Sequence, residues 1–195
     1  MKIKVAILTT SFMFLSLTTA TAAPIYTFPI AGCTVKYGKY HHDYPATDID
    51  AKKGCAFVAP IAGVVDEVNT VDKWSGKTNK GADRGGLSIS IIGDDGNRYY
   101  GSHLSKIEAN IVPGYKVATG EKLGEIGTSG SAKGTKPHLH FGISYPTEKG
   151  VWWIRRGVGL EKGKISPWKY LQAWQVGKDL KPKVVMPAQI PVEPK

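Results

Sequence analysis

The stretch LSISIIGDDGNRYY, residues 87–100, decides the fold class. It contains two runs rich in β-branched and aromatic residues, 87–92 and 97–100, separated by Gly-Asp-Asp-Gly at 93–96. A short Gly/Asp connection between two such runs is typical of a β-hairpin. The stretch therefore predicts two adjacent antiparallel strands.

The sequence on both sides continues this pattern. CAFVAPIAGVVDEV, residues 55–68, predicts two short β runs around a tight turn, and VPGYKVATGEKLGEIG, residues 112–127, predicts very short strands joined by turns. One short helix is predicted near the C-terminus, with Ser166 as N-cap and Pro167 as the first helical residue. The chain is therefore predicted to be mainly β, a helix-poor antiparallel sheet or sandwich.

Two further segments each allow two interpretations. Residues 74–86 mix Gly, Ser, Thr and Asn with charged residues and show no hydrophobic period, so they predict a surface loop. That loop is either a solvated hairpin tip or a wall of a groove. Residues 151–163 predict a hairpin or rim, whose tryptophans, like Trp168, either pack in the interior or stack on sugars.

The histidines are confined to three places in the chain: His41 and His42, His103, and the pair His138 and His140. In the segment PHLHFG, residues 137–142, one apolar residue separates the last two. Successive side chains of a strand point to opposite faces, so His138 and His140 are predicted to share one face. No HExxH helix motif occurs, so a site assembled from strands and loops is predicted.

The histidine count suits a catalytic metal site. Zinc binds imidazole nitrogen and carboxylate oxygen, and catalytic zinc keeps three protein ligands with water in the fourth position. Two histidines and an aspartate, from Asp48 or Asp50, supply that set, and two further histidines can serve in proton transfer and charge stabilisation. A hydrolase is favoured, since a structural site would use thiolates and close the fourth position.

The N-terminus has the pattern of a secretory signal. Lys2 and Lys4 precede an apolar run over residues 5–17 and the small residues Ala20 and Ala22, so cleavage is expected after Ala22, or alternatively one residue later. The apolar run is shorter than the roughly 20 residues of a spanning helix, so no stable membrane insertion is expected. The protein is predicted to be exported, either periplasmic or secreted to the cell wall. The predicted organisation is a signal peptide at 1–22, a lead-in at 23–36, one domain at 37–177 and a disordered Pro/Lys-rich tail at 178–195.

Charge and cysteine content bear on partners and compartment. The formal net charge is +10, and +8 once Lys2 and Lys4 leave with the signal. A basic surface favours polyanions, and export favours acidic envelope polymers over nucleic acid. The two cysteines, Cys33 and Cys55, can form a disulfide in an exported chain, the alternative being two free thiols or two further metal ligands.

Four segments together resemble a known family. In order they are TDIDAKKGCAFVAPIAGVV at 47–65, GSHLSKI at 101–107, VATGEKLGEIGTSG at 117–130 and PHLHFGI at 137–143. They resemble the lysostaphin/LytM type of zinc metallopeptidase over about residues 37–145. The resemblance implies a duplicated hybrid motif fold with a substrate groove, one Zn²⁺ per chain, and hydrolysis of peptide bonds in bacterial peptidoglycan. We expect the protein to be a monomer.

The same resemblance implies roles for individual residues. The implied zinc ligands are His42, Asp48 and His140, and the implied catalytic residues are His103 and His138, either of which could take the proton of the water. The family motif has three residues between its first histidine and the aspartate, whereas five lie between His42 and Asp48. His41 is therefore an alternative first ligand, and Asp50, which shares a face with Asp48, is an alternative carboxylate.

Two other classes of function are compatible with parts of the sequence. One is a catalytically silent member of the same fold that binds the wall or activates a hydrolase, but such a protein would be expected to lose site residues. The other is a lipoyl-type carrier, suggested by GEKLGEIG at 120–127. Lys122 lacks the Asp and Ala neighbours of a lipoyl lysine, and a carrier needs no histidine cluster. A zinc endopeptidase is the favoured prediction.

Overall fold

The structure is a computed structural model that describes residues 25–39, 41, 45–146 and 165–184. Within these ranges the strands are β1 (Ile30–Ala31), β2 (Lys36–Tyr37), β3 (Thr47–Asp50), β4 (Ala56–Val58), β5 (Gly63–Asn69), β6 (Leu87–Gly93), β7 (Arg98–Ile107), β8 (Lys116–Val117), β9 (Lys122–Ile126) and β10 (His138–Ser144). The helix α1 (Trp168–Gln175) follows, and short 3-10 turns occur at Gly81–Asp83 and Gly130–Ala132. The prediction of a mainly β fold with one short C-terminal helix is confirmed.

All strand pairs are antiparallel, and they form one curled sheet. Its main path runs β1-β4-β9-β7-β10-β3-β2, with β6, β5 and β8 following from β7. Residues 98–102 of β7 pair with β10, whereas residues 104–107 pair with β9. The long strand β7 therefore pairs with β6, β9 and β10, and β3 pairs with the other edge of β10.

The predicted hairpin is confirmed at the 93–96 turn. Gly93 and Asn97 close it through a hydrogen bond from Gly93 N to Asn97 O of 2.9 Å. Asp95 Oδ1 accepts from Asn97 N at 3.0 Å, and Gly96 has a φ of +83°, which glycine adopts without strain. Polar turn residues thus satisfy the backbone where the chain reverses.

Strand alternation separates the two faces of β10. Leu139 and Phe141 are fully buried in the apolar core, as is Ile49 of β3. The intervening His138 and His140 therefore lie on the other face, as the sequence predicted.

The helix starts later than predicted. It begins at Trp168 with Pro167 as its N-cap residue, and no side chain caps it. The prediction that Ser166 is the N-cap is wrong, because its hydroxyl donates to Lys39 O at 3.3 Å instead. On the inner side of the helix, Trp174 stacks on Tyr26 with ring centroids 5.3 Å apart.

The residues after the helix pack against the domain. Asp179 Oδ1 accepts from Tyr26 N at 2.9 Å, and Leu180 O accepts from Trp174 Nε1 at 3.1 Å. Pro182 O accepts from Asn97 Nδ2 at 3.1 Å. These hydrogen bonds involve the first residues of the segment 178–195, whose disorder stays a prediction. The predicted signal peptide, the 151–163 rim and residues 185–195 lie outside the described residues.

Cys33 and Cys55 form a disulfide. The bond ties the segment between β1 and β2 to the residue that precedes β4. Of the sequence alternatives, the bridge is confirmed, so neither thiol is available to a metal. In the part of the chain that the structure describes, no helix is long and apolar enough to cross a membrane.

Candidate metal centre

Two strands bring the first two candidate ligands together. In the β3–β10 pair, Asp48 lies directly opposite His140 and Asp50 lies opposite His138. His140 Nδ1 is 2.7 Å from Asp48 Oδ1. Asp50, the alternative carboxylate, is exposed and does not belong to the candidate metal group of the described residues.

The third candidate ligand comes from the loop before β3. His41 Nε2 lies 3.7 Å from Asp48 Oδ2, and the His41 ring meets the His140 ring edge-on with centroids 4.9 Å apart. Ligand atoms of the three residues all lie within 4.8 Å of one another. His42, the first ligand that the family resemblance implies, lies outside the described residues and stays a prediction. The alternative, His41, is the histidine that the structure brings to Asp48 and His140.

The donor set fits zinc. Two imidazole nitrogens and one carboxylate oxygen are the ligands of many catalytic zinc sites. Burial tends to raise the pKa of Asp48, but the hydrogen bond from His140 and the nearby charges of His140, His41 and His138 lower it to about 2. The carboxylate is therefore ionised at neutral pH and available to a cation. His41, Asp48 and His140 form a candidate metal site.

His103 lies inside β7, whereas the sequence predicted it just beyond a strand. Leu87 pairs with Leu104 and Ser88 pairs with Ser102, so His103 is the extra residue of a β-bulge. Its φ is +65°, a left-handed conformation that costs a non-glycine residue on the order of 1–3 kcal/mol. The bulge turns this side chain toward His138, with ring centroids 4.9 Å apart.

His103 and His138 are oriented in the same way. His103 Nδ1 is 2.8 Å from Ser129 O, and His138 Nδ1 is 2.8 Å from Lys136 O. A carbonyl oxygen only accepts, so each Nδ1 carries the proton and each neutral ring keeps its lone pair on Nε2. Two proton acceptors thus lie beside the candidate metal site, since the His103 and His140 centroids are 5.9 Å apart.

The two rings differ in burial. His103 is 8 % exposed, whereas His138 is half-buried. Burial, followed by the charges of His140 and His138, lowers the pKa of His103 to about 3. His103 is therefore neutral at physiological pH.

Tyr100 is a neighbour of the site that the sequence alone did not reveal. Ser102 pairs with His140 and Tyr100 pairs with Gly142, so Tyr100 lies two residues from Ser102 on the same face of β7. The Tyr100 and His140 centroids are 6.5 Å apart, and a Cβ added at Gly142 would meet open space. The alternation of side chains along a strand, counted back from Ser102, would have placed Tyr100 on this face.

Comparison with known proteins agrees with this geometry. The model of Peptidase family M23 matches residues 42–151, more than half of the chain. The chain belongs to peptidase family M23. No curated protein sequence matches it.

Solved structures support the M23 fold. A candidate glycyl-glycine endopeptidase lytM from Ruminococcus gnavus is 23% identical, with a TM-score of 0.56 over 80% of this chain and 62% of that chain. The antimicrobial peptidase lysostaphin from Staphylococcus simulans is 22% identical, with a TM-score of 0.53 over 83% of this chain and 60% of that chain. The M23 chain described here thus spans about three-fifths of the length of each of these two proteins.

Proposed function

We propose that this M23 protein is an exported zinc metalloendopeptidase that hydrolyses peptide bonds of bacterial peptidoglycan. The observation that carries the proposal is the convergence of His41, Asp48 and His140 beside the His103–His138 pair. Family membership supports the peptidase activity, and the disulfide supports an oxidising compartment outside the cytoplasm. The mature chain is proposed to begin after Ala22.

His41, Asp48 and His140 would hold the metal. When bound, zinc supplies a Lewis acid that polarises a carbonyl and lowers the pKa of a water. Asp48 is suited to this role because its carboxylate is ionised and has imidazole neighbours on both of its oxygens. The cross-strand register places Asp48 directly opposite His140.

His103 and His138 would move protons. Each presents Nε2 as an acceptor, because Ser129 O or Lys136 O holds the proton on Nδ1. The same carbonyls favour the imidazolium that forms when either ring takes a proton from the water, and at His103 the carbonyl of Ser129 acts against the burial that lowers the pKa of the ring. That imidazolium then returns a proton to the leaving amine of the cleaved peptide.

The strand face beside the site would bind the peptide. Open space over Gly142, next to Tyr100, leaves room for an extended chain on this face of β10 and β7. The basic composition favours the acidic polymers of a bacterial envelope. Both features suit peptidoglycan, in which peptides are joined to an extended polymer.

The experiment measures zinc content and release of free amines from peptidoglycan on protein that begins at Ala23. We expect about one zinc per chain, release that a chelator abolishes, and recovery when zinc is added back. Asp48→Ala should lose both zinc and release, whereas the matched control Asp50→Ala should keep zinc. Zinc binding without cleavage would instead support a catalytically silent wall-binding protein.

A further inference from the structure

Two loops that are distant in sequence meet at His103. The first, residues 72–86, supplies Gly85 O, which accepts from His103 N at 2.9 Å. The second, residues 128–135, supplies Ser129 O, which lies 2.8 Å from His103 Nδ1. The backbone and the ring of His103 are therefore held by different loops, and their relative position sets the direction of the ring.

Backbone contacts fasten the two loops to each other. Ser131 N donates to Arg84 O at 2.9 Å. A Cβ on Gly130 would collide with Arg84 O and with Gly86 N. The two loops therefore approach each other at a distance that only glycine allows here. Gly130 also has a φ of +66°. The Ser129–Gly130 peptide group therefore lies between Arg84 and His103.

Asp72 binds the other end of that peptide group. Its Oδ2 accepts from Gly130 N at 3.1 Å and lies 3.1 Å from Lys133 Nζ. Its Oδ1 accepts from Trp74 N at 3.2 Å, which anchors the carboxylate in the first loop. The side chain is 18% exposed, so water only partly competes for these bonds.

The N–H of Gly130 and the carbonyl of Ser129 belong to one planar peptide group. Holding the N–H fixes the plane and hence the direction of the carbonyl that accepts from His103. A charged acceptor on the N–H also polarises the group, which strengthens the carbonyl as an acceptor. A continuous chain of bonds thus runs from the Asp72 carboxylate through the peptide group to the His103 ring.

We propose that Asp72 is a positioning residue of this peptidase, acting on His103 through the Ser129–Gly130 peptide group. This inference rests on the proposed function, since it takes His103 to be catalytic. Asp72 neither contacts the substrate nor binds the metal. It keeps the Nδ1 proton of His103 in place and Nε2 directed toward the reaction.

The test compares Asp72→Ala with Asp72→Asn and with the matched control Lys133→Ala. In Asp72→Ala, we expect kcat to fall roughly tenfold to a hundredfold, as for loss of an outer partner of a catalytic group, with KM and zinc content unchanged. Asp72→Asn keeps an oxygen that accepts from Gly130 N and should restore most of kcat. Lys133→Ala removes the ion pair but leaves the hydrogen bond from Gly130 N to Asp72, so it should retain kcat.

A second readout does not depend on activity. The Nδ1–H of His103 should give a slowly exchanging proton resonance in the wild type and in Lys133→Ala, and exchange should be at least about tenfold faster in Asp72→Ala. Rapid exchange in the wild type, or wild-type kcat in Asp72→Ala, would overturn the proposal. Equal losses of kcat in Lys133→Ala and Asp72→Ala would also overturn it.

The two readouts separate this inference from the proposed function. If the wild type cleaves no peptide, the proposed function fails, while the resonance still decides whether Asp72 holds the Ser129–Gly130 peptide group against His103. If the wild type cleaves peptidoglycan and Asp72→Ala cleaves it equally well, only the role of Asp72 is lost. Should Asp72→Ala not fold, the resonance of the wild type alone can still overturn the proposal.

Discussion

Asp48 and His140 face each other across β3 and β10, with Asp48 Oδ1 and His140 Nδ1 2.7 Å apart. They are 92 residues apart in sequence, and the register of two strands joins them. A slip of one residue in this register would send one of the two side chains into the core. The candidate metal site therefore depends on the same strand pairing as the fold.

His140→Ala should abolish both zinc retention and peptidase activity, because His140 supplies a ligand atom of the candidate site. His138→Ala, on the same face of β10, should keep the metal and lose turnover by roughly 100-fold or more, as expected for a general acid or base. Metal analysis together with the amine-release assay separates the two outcomes. Full activity in His138→Ala would remove that residue from the mechanism.

His41 and His42 are adjacent in the sequence and offer a matched pair of substitutions. His41→Ala should weaken zinc binding by more than the roughly 10–100-fold that loss of an outer partner costs, since His41 lies against Asp48 and His140. His42→Ala should bind zinc like the wild type. A competition titration with a chromophoric chelator measures both affinities. The reverse ranking would show that His42, the ligand first expected from the motif, binds the metal.

Replacing Cys33 and Cys55 with Ser should lower the free energy of unfolding by about 3 kcal/mol, because the bridge closes a loop with a sequence separation of 22 residues. Urea titrations of the wild type with and without reductant, beside the double variant, measure the difference. The reduced wild type should behave like the variant. Equal midpoints for all three samples would contradict a stabilising bridge.

Trp174→Ala should lower the free energy of unfolding by about 3–5 kcal/mol, because the ring is 3% exposed and stacks on Tyr26. Val176→Ala is the control, since Val176 is 68% exposed and should change stability by less than about 0.5 kcal/mol. Urea unfolding of both variants tests the prediction. A small effect at Trp174 would show that the helix contributes little to the stability of the sheet.

Asp72 should make stability depend on pH. Burial raises the pKa of Asp72, but the bonds from Gly130 and Lys133 outweigh it and lower the pKa below its ordinary value of 3.8. A lowered folded-state pKa means that the ionised form stabilises the fold above the unfolded pKa, and that this stability is lost as the pH falls through the folded pKa. The difference in unfolding free energy between the wild type and Asp72→Asn should therefore shrink as the pH falls below the ordinary pKa of 3.8 and on through the lower folded-state pKa. A constant difference would mean that the charge of Asp72 does not stabilise the fold.

Local rules were enough to predict much of the sheet. The Gly-Asp-Asp-Gly turn predicted the β6–β7 hairpin, and the alternation in PHLHFG predicted that His138 and His140 share one face, which lies opposite the buried Leu139 and Phe141. These features depend on turn chemistry and on the period of two of a strand. They involve residues close together in the chain, so the sequence carries them directly.

The sequence by itself determined the mainly β character, the shared face of His138 and His140, and the set of residues able to bind a metal. Only the tertiary structure decided that His41 lies beside Asp48, that His103 occupies a bulge, and that the Ser129–Gly130 peptide group holds its ring. Each of these depends on contacts between segments that are far apart in the chain. Register, bulge position and loop path are set by the packing of the whole sheet, and no local pattern of residues specifies them.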